Sequence, residues 1–494
     1  MNSATLEMET FEDGIRRYTQ TWWQIDSLYR QFVFHSRESN STTLFVGLNQ
    51  AVEQNYSNRF LLPLGDRWQA IVDQSEKWAP QSAQREFFLN KVQTPFLAKN
   101  KKVCVIISDG LRYEIGHEFA ERIRRENRYS AAISHMVTGL PSYTQLGMAA
   151  LLPNEKLQIN LDDSATVSVN GRSSAGTNSR SAIVAAVPGK KGTAIQARDL
   201  LAMNAGDSRV LFRDHDFVYV YHNVIDATGD KVTTERDVFL ASDQTIEELV
   251  QLVKKLTAAN ASNILVTADH GFIFQNGVEE SDFVAGVAND VESDYRDRRF
   301  LLGKQLEKPD GMHHYTSAQL GLEGDVEVLI PNSINRLRLS GSGFRYVHGG
   351  CTLQEIVVPL IEINKSKQDD VQQVPVQIIP ASSTTISTGQ LAVRLYQEEA
   401  ASEKLQPRTL TVGLYSESGD ALSDLQEVVF DRTSDNPRER EHTVKLVLSR
   451  DADEYNGQQV YLRLKERIGA TTHFADYLSQ TFTVRRAFEQ DFDF

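Results

Sequence analysis

VCVIISDG, residues 103–110, is an unbroken apolar run closed by a serine, a carboxylate and a glycine. A run without polar alternation reads as a strand buried on both faces, as in a parallel sheet clad by helices. The pattern recurs in FVYVY, residues 217–221, and in ILVT, residues 264–267, with helical stretches between them at residues 114–126 and 238–256. Apolar strands alternating with helices predict an α/β domain, a parallel-rich sheet flanked by helices, over residues 101–365.

Residues 1–100 show no strand alternation. Trp22, Ile25, Tyr29 and Phe32 recur at helical spacing and predict a helical segment. The Trp22–Trp23 pair is expected to be an aromatic contact between helices. Two inserts interrupt the α/β alternation. Residues 157–193 are expected to form a hairpin and a Gly/Ser-rich loop, and residues 276–345 a polar, cap-like insert with short helices. After a polar linker, NKSKQDDVQQ, seven short alternating segments between residues 374 and 486 predict a β-sandwich domain over residues 374–494.

The chain has 494 residues, 40% hydrophobic and 24% charged, enough to bury a large core without disulfides. Its two cysteines, Cys104 and Cys351, suit a reducing compartment. The first residues are polar and acidic, and no apolar run approaches the roughly 20 residues that span a bilayer. A cytoplasmic protein with no membrane association is expected. The net charge of −14 argues against autonomous, sequence-blind nucleic-acid binding by the whole surface.

Three segments place a possible metal ligand directly after a buried strand. Asp109 follows VCVIIS, Asp226 follows FVYVYHNVI, and Asp269-His270 follows ILVTA. Open parallel sheets bind ligands outside the carboxyl ends of their strands, so these residues can converge. Carboxylate with imidazole suits zinc or manganese. Taken alone, Asp269-His270 also fits a loop with a capping aspartate, Asp109-Gly110 a turn, Asp226 and Asp230 turn or capping residues, and His348 a structural histidine. Thr144, at the start of a short helix after Pro141, could offer a hydroxyl beside amides that favour phosphate. It could equally be an N-cap, as could Ser142. Arg112 and Lys231 lie close in sequence to these residues and are candidates for contacting a phosphate. No P-loop, nucleophile elbow or zinc-finger spacing is present, and His313-His314 is expected at the surface.

IISDGLRYE, LPSYTQLGMAALLP, VYHNVID, VTADHGF and HGGCTLQEIVVP, in this order, resemble the PglZ domain of the alkaline phosphatase superfamily. The whole chain resembles the C-terminal portion of proteins of BREX phage-defence systems. Such proteins extend further toward the N-terminus, so Met1 is expected to begin a shortened chain. The resemblance implies an alkaline phosphatase-like fold and two divalent metal ions, most commonly zinc, with manganese as the alternative. Carried over by motif, Asp109, Asp269 and His270 hold one metal, and Asp226 and His348 help hold the other. Thr144 matches the attacking residue and bridges toward the metals, with Ser142 as the fallback. Asp230 stands where many relatives carry a histidine ligand.

The implied activity is metal-dependent phosphoryl hydrolysis by in-line attack through a phosphothreonine. The enzyme would be a phosphatase or phosphodiesterase, with a nuclease among the possibilities, acting on a phosphoester or nucleic acid. Implied partners are other BREX components, such as the DNA methyltransferase. The alternative is a non-catalytic assembly protein that docks those partners.

Overall fold

The VCVII run is the middle of a six-stranded sheet. In the computed structural model, strand Val103–Ser108 lies between Phe217–His222 and Asn263–Thr267, parallel to both. Gly192–Gln196 adds a further parallel strand beyond Phe217–His222. On the other side Val357–Lys365 runs antiparallel to Asn263–Thr267 and to the edge strand Tyr129–Val137. Val103, Val105, Ile106 and Ile107 are at most 4% exposed. Burying such a side chain contributes ~1.5–3 kcal/mol, which keeps this strand central.

Helices lie where the sequence predicts them, at Tyr113–Arg125 and Val238–Ala258. Ile115, Phe119 and Ile123 form the buried stripe of the first, and Leu249, Leu252, Val253 and Leu256 that of the second.

The structure describes residues 6–38, 46–284, 291–339, 341 and 343–486, so parts of the expected helical segment, cap and C-terminal domain lie outside the described residues. The chain divides into two units, residues 1–123 with 129–366 and residues 124–128 with 367–494. The N-terminal helices belong to the first unit and share its core. Tyr18, Trp22, Tyr56 and Trp68 are buried in the same cluster as Val105 and Ile107. Trp23 stacks on His117 with ring centroids 3.9 Å apart, an aromatic contact between helices. Arg30 and Asp26 are also buried here, although charge usually marks a solvated face.

Two expectations are corrected. Residues 157–193 do contain the expected hairpin, Leu157–Ile159 with Val167–Val169, which Arg172–Ser173 extends into a small antiparallel sheet. The supposed Gly/Ser-rich loop then continues as helix Gly176–Ala185, which leads into the sheet strand Gly192–Gln196. Residues 276–345 carry, besides the single short 3-10 turn described there, Glu280–Asp282, a four-stranded antiparallel sheet built from Tyr295–Arg296, Leu301–Gly303, Glu327–Pro331 and Met312–Thr316. His313 and His314 lie in its last-named strand, against Asp73 at 2.8 Å and Glu327 at 3.0 Å.

In the second unit all seven expected segments are strands. One sheet joins Val376–Ile379, Gln390–Gln397 and Glu441–Val447. A second has five strands, among them Arg408–Tyr415, Gln426–Phe430, Gln459–Arg467 and Phe474–Val484, and Gln372–Gln373 with Leu405–Gln406 forms a small two-stranded sheet. Leu395 and Val444 of the first share one core with Val412, Leu462 and Phe482 of the second.

Candidate active site

The three parallel strands of the middle of the sheet end at one edge, and each is followed by an acidic residue. The Asp109 amide donates to the His222 carbonyl at 2.9 Å, extending strand pairing one residue past Ser108. Asp226 lies in the short helix Ile225–Gly229, and Asp269 and His270 directly follow Asn263–Thr267 and Ala268. Asp269 Oδ1 accepts the amides of Gly110 at 3.2 Å and His270 at 3.0 Å, which turns Oδ2 toward the imidazole. Gly271 is required by close packing, since a Cβ there would fall 2.1 Å from the Gln354 carbonyl oxygen.

His270 joins the parts. Its Nε2 is 3.5 Å from Asp109 Oδ1, 3.6 Å from Asp269 Oδ2 and 3.0 Å from Thr144 Oγ1. Its Nδ1 is 2.9 Å from the Gly271 carbonyl oxygen. A carbonyl only accepts, so Nδ1 carries the proton and the neutral ring presents the Nε2 lone pair to the carboxylates and the hydroxyl. The His270 ring stacks on His348 at 4.0 Å. His348 Nε2 lies 3.5 Å from Asp226 Oδ1, which also accepts the Tyr346 hydroxyl at 3.2 Å.

Thr144 begins helix Thr144–Ala150, whose N-cap, Tyr143, makes no side-chain capping bond. Neither neighbouring hydroxyl is a cap. Ser142 is buried and donates to the Gly350 carbonyl at 2.6 Å, while the Thr144 hydroxyl meets His270.

Two sets of ligating atoms result, Asp109, Asp269 and His270, and Asp226, His270 and His348. Within each set the atoms lie within 4.8 Å of one another. Carboxylate and imidazole donors suit zinc or manganese. Asp109 Oδ1 and Asp269 Oδ2 are buried and have no hydrogen-bond partner. Two such oxygens are costly unless a cation neutralises them, so the residues present fit a divalent ion.

The electrostatics agree. Burial, then the charges of Asp226 and Asp269, push the Asp109 carboxyl well above the usual carboxylate range. Burial would raise Asp226 too, but the hydrogen bond and charge of His348 outweigh it and hold Asp226 at about 2. Burial lowers His270. At His348 burial is overcome by Asp226, and the imidazole is raised.

Of the residues predicted from sequence, Asp109, Thr144, Asp226, Asp269, His270 and His348 come together. Asp230 does not: its side chain is 55% exposed and its carboxylate is taken by Arg298. Arg112 is not placed to meet a phosphate. It is fully buried over the Phe272 ring, 3.1 Å from Asp26 and 3.6 Å from Glu114. Lys231 is exposed.

Sequence reasoning missed Tyr346 and Gln84. Tyr346 lies two residues before His348, so strand alternation carries both to one side. Gln84 Nε2 donates to the Ala268 and Asp269 carbonyls at 2.9 Å each. Nothing in its local pattern marks it.

A mixed sheet gathering carboxylates and imidazoles at its strand ends is an alkaline phosphatase-like domain. More particularly, residues 87–363, over half of the chain, match the family model described as the BREX system PglZ alkaline phosphatase-like domain, and the chain belongs to that family. It is 34% identical to the alkaline phosphatase-like protein PglZ of Bacillus cereus (strain H3081.97), over 100% of this chain and 58% of that protein. It is 32% identical to the alkaline phosphatase-like protein BrxZ of Escherichia coli O9:H4 (strain HS), over 97% of this chain and 56% of that one. The chain thus spans a little over half the length of these relatives. Among solved structures, murine ectonucleotide pyrophosphatase/phosphodiesterase 5 aligns over 53% of this chain and 88% of its own. That alignment has 12% identity and a TM-score of 0.36, too loose a likeness to build on. Among the described residues no helix is long and apolar enough to cross a membrane.

Proposed function

We propose that this domain is a metal-dependent phosphoryl hydrolase of a BREX anti-phage system, a phosphatase or phosphodiesterase with Thr144 as nucleophile. The observation that carries this reading is the Thr144 hydroxyl at 3.0 Å from His270 Nε2, beside the unpartnered oxygens of Asp109 and Asp269. Asp109, Asp269, His270 and Thr144 would hold one divalent ion, and Asp226 and His348 a second, zinc with manganese as the alternative. Bound there, the ions supply positive charge that favours an ionised hydroxyl and stabilises phosphoryl oxygens.

The chain's own residues fix geometry. The helix start aims the Thr144 hydroxyl, the Gly271 carbonyl sets the His270 tautomer, and Tyr346 orients Asp226. Thr144 Oγ gives its proton to solvent and bonds to phosphorus as the opposite P–O bond breaks, and the departing oxygen takes a proton from water and leaves as the alcohol. Water then cleaves the phosphothreonine. The substrate class is a phosphoester, monoester or diester, the latter including nucleic acid.

The whole protein is proposed to act in the cytoplasm with other BREX components, the DNA methyltransferase among them. A second, compatible reading is assembly. We read the C-terminal unit as a β-sandwich, since its three-stranded and five-stranded sheets line one core. It holds none of the site residues, and Leu425, Val429 and Val447 are exposed on it.

The test is hydrolysis of a chromogenic phosphodiester and monoester by metal-stripped chain, before and after adding zinc or manganese, with Asp269→Ala alongside. Metal-dependent turnover that disappears in the variant supports the hydrolase. A folded chain inactive with every metal and both esters leaves the assembly reading.

A further inference from the structure

We infer that the two cation positions are unequal: the chain alone retains the ion at Asp109, Asp269 and His270, whereas the ion at Asp226 and His348 is held weakly until a phosphoryl group completes its coordination. This rests on the reading of the site as a metal centre and adds how the centre is loaded.

His270 belongs to both sets of ligating atoms. Its Nδ1 is committed to the Gly271 carbonyl, so only Nε2 can bind an ion. Nε2 faces Asp109, Asp269 and the Thr144 hydroxyl, and so serves the first position. The second is left with Asp226 and His348, and one oxygen of Asp226 is shared with the Tyr346 hydroxyl.

The carboxylate that could supply a third ligand is Asp230, one helical turn past Asp226 and joined to it by an amide-to-carbonyl bond of 2.9 Å. Arg298 takes it away. The Arg298 side chain is 4% exposed and also donates to the Tyr346 carbonyl at 3.1 Å, so its guanidinium is fixed in place. Asp230 is thus engaged by a buried guanidinium that other partners also hold, and it is not free to supply the third ligand.

Zinc commonly has three or four protein ligands. With two, the remaining positions fall to water, or to the oxygens of a phosphate or phosphoryl ester. Ion and phosphoryl group then raise each other's affinity by the same factor. The ligand class is an oxyanion of phosphorus with at least two unesterified oxygens.

The experiment is equilibrium dialysis of the metal-stripped full chain against rising manganese, with bound ion measured by elemental analysis, with and without inorganic phosphate. Two steps are expected, the second at tenfold or more higher free manganese, on the order of what a lost or misoriented ligand costs. Phosphate should move only the second step to lower manganese. Asp230→Asn should leave both steps in place. Asp230→His, at a half-exposed position, should bring the second step down by about tenfold by adding a ligand that does not pair with Arg298.

Two steps at equal manganese without phosphate would overturn the inference. So would loss of the second step in Asp230→Asn, which would make Asp230 a ligand, or an unmoved second step in Asp230→His. A folded chain that binds no ion would instead overturn the metal reading itself, and the inference with it.

Discussion

Gly147 lies so close to Asp269 that a Cβ on it would fall 2.3 Å from the Asp269 carbonyl oxygen. One turn of helix separates Gly147 from Thr144, and this contact lets the helix seat the Thr144 hydroxyl against His270. Gly147→Ala is expected to push that helix outward. Displacing a reacting group by an ångström costs about a hundredfold in rate, and overpacking destabilises by about 1–3 kcal/mol. The measurement is kcat at saturating substrate with thermal unfolding alongside. An unchanged kcat would show that this contact does not position the hydroxyl.

Thr144→Ala should abolish turnover, by at least about a thousandfold, as removal of a nucleophile does, while leaving bound ion largely in place. Ser142→Ala should behave in the opposite way. The Gly350 carbonyl loses its buried donor, costing about 1–3 kcal/mol of stability, with turnover within a few-fold of the parent. Kinetics and denaturant unfolding on both variants separate the roles. A larger activity loss in the Ser142 variant would reassign the nucleophile.

Ion loading should release protons. Burial and the charges of Asp226 and Asp269 raise the Asp109 carboxyl, so it keeps its proton at pH values where an ordinary carboxylate has lost it. A divalent ion needs the ionised form and displaces that proton. Affinity should therefore fall as pH is lowered, and proton release per ion should grow over the same range. A pH-stat titration with manganese measures both. Affinity independent of pH, with no proton released, would refute this.

Arg112 neutralises Asp26, which also accepts the hydroxyls of Tyr18 at 2.9 Å and Tyr56 at 2.6 Å. Arg112→Met should leave Asp26 with uncompensated charge, while Glu114 keeps Arg30 at 2.9 Å, and cost about 3–5 kcal/mol. Urea unfolding reads it directly. A loss no larger than about 1 kcal/mol, typical of an exposed pair, would mean that water reaches this cluster.

The sheet was legible because its central strands are long apolar runs, and the site because its ligands stand directly after them. Elements without such runs leave a weaker trace in the sequence. Gly192–Gln196 is an edge strand with little buried surface and hence little apolar signal. The strands of the 276–345 insert are two to five residues long, too short for alternation to show. Asp26 and Arg30 were invisible because periodicity treats charge as a solvent-facing mark, and here the two ends of each pair lie far apart in sequence. Asp230 fell at a ligand's position by spacing, while the arginine that claims it comes from the insert, 68 residues on.

The segment that carries the family signature is smaller than the piece of chain that folds. The match starts at residue 87, yet Trp68 donates its indole N–H to the Cys351 carbonyl at 2.6 Å, Trp78 donates to Thr138 at 2.8 Å, and Asp26 meets Arg112. A dissection at the recognisable border would strip off one wall of the core and orphan a buried arginine. Cuts intended to liberate the domain as an autonomous unit belong upstream of helix Phe11–Arg17, and the helices before residue 87 are better regarded as part of the domain body than as a leader to it.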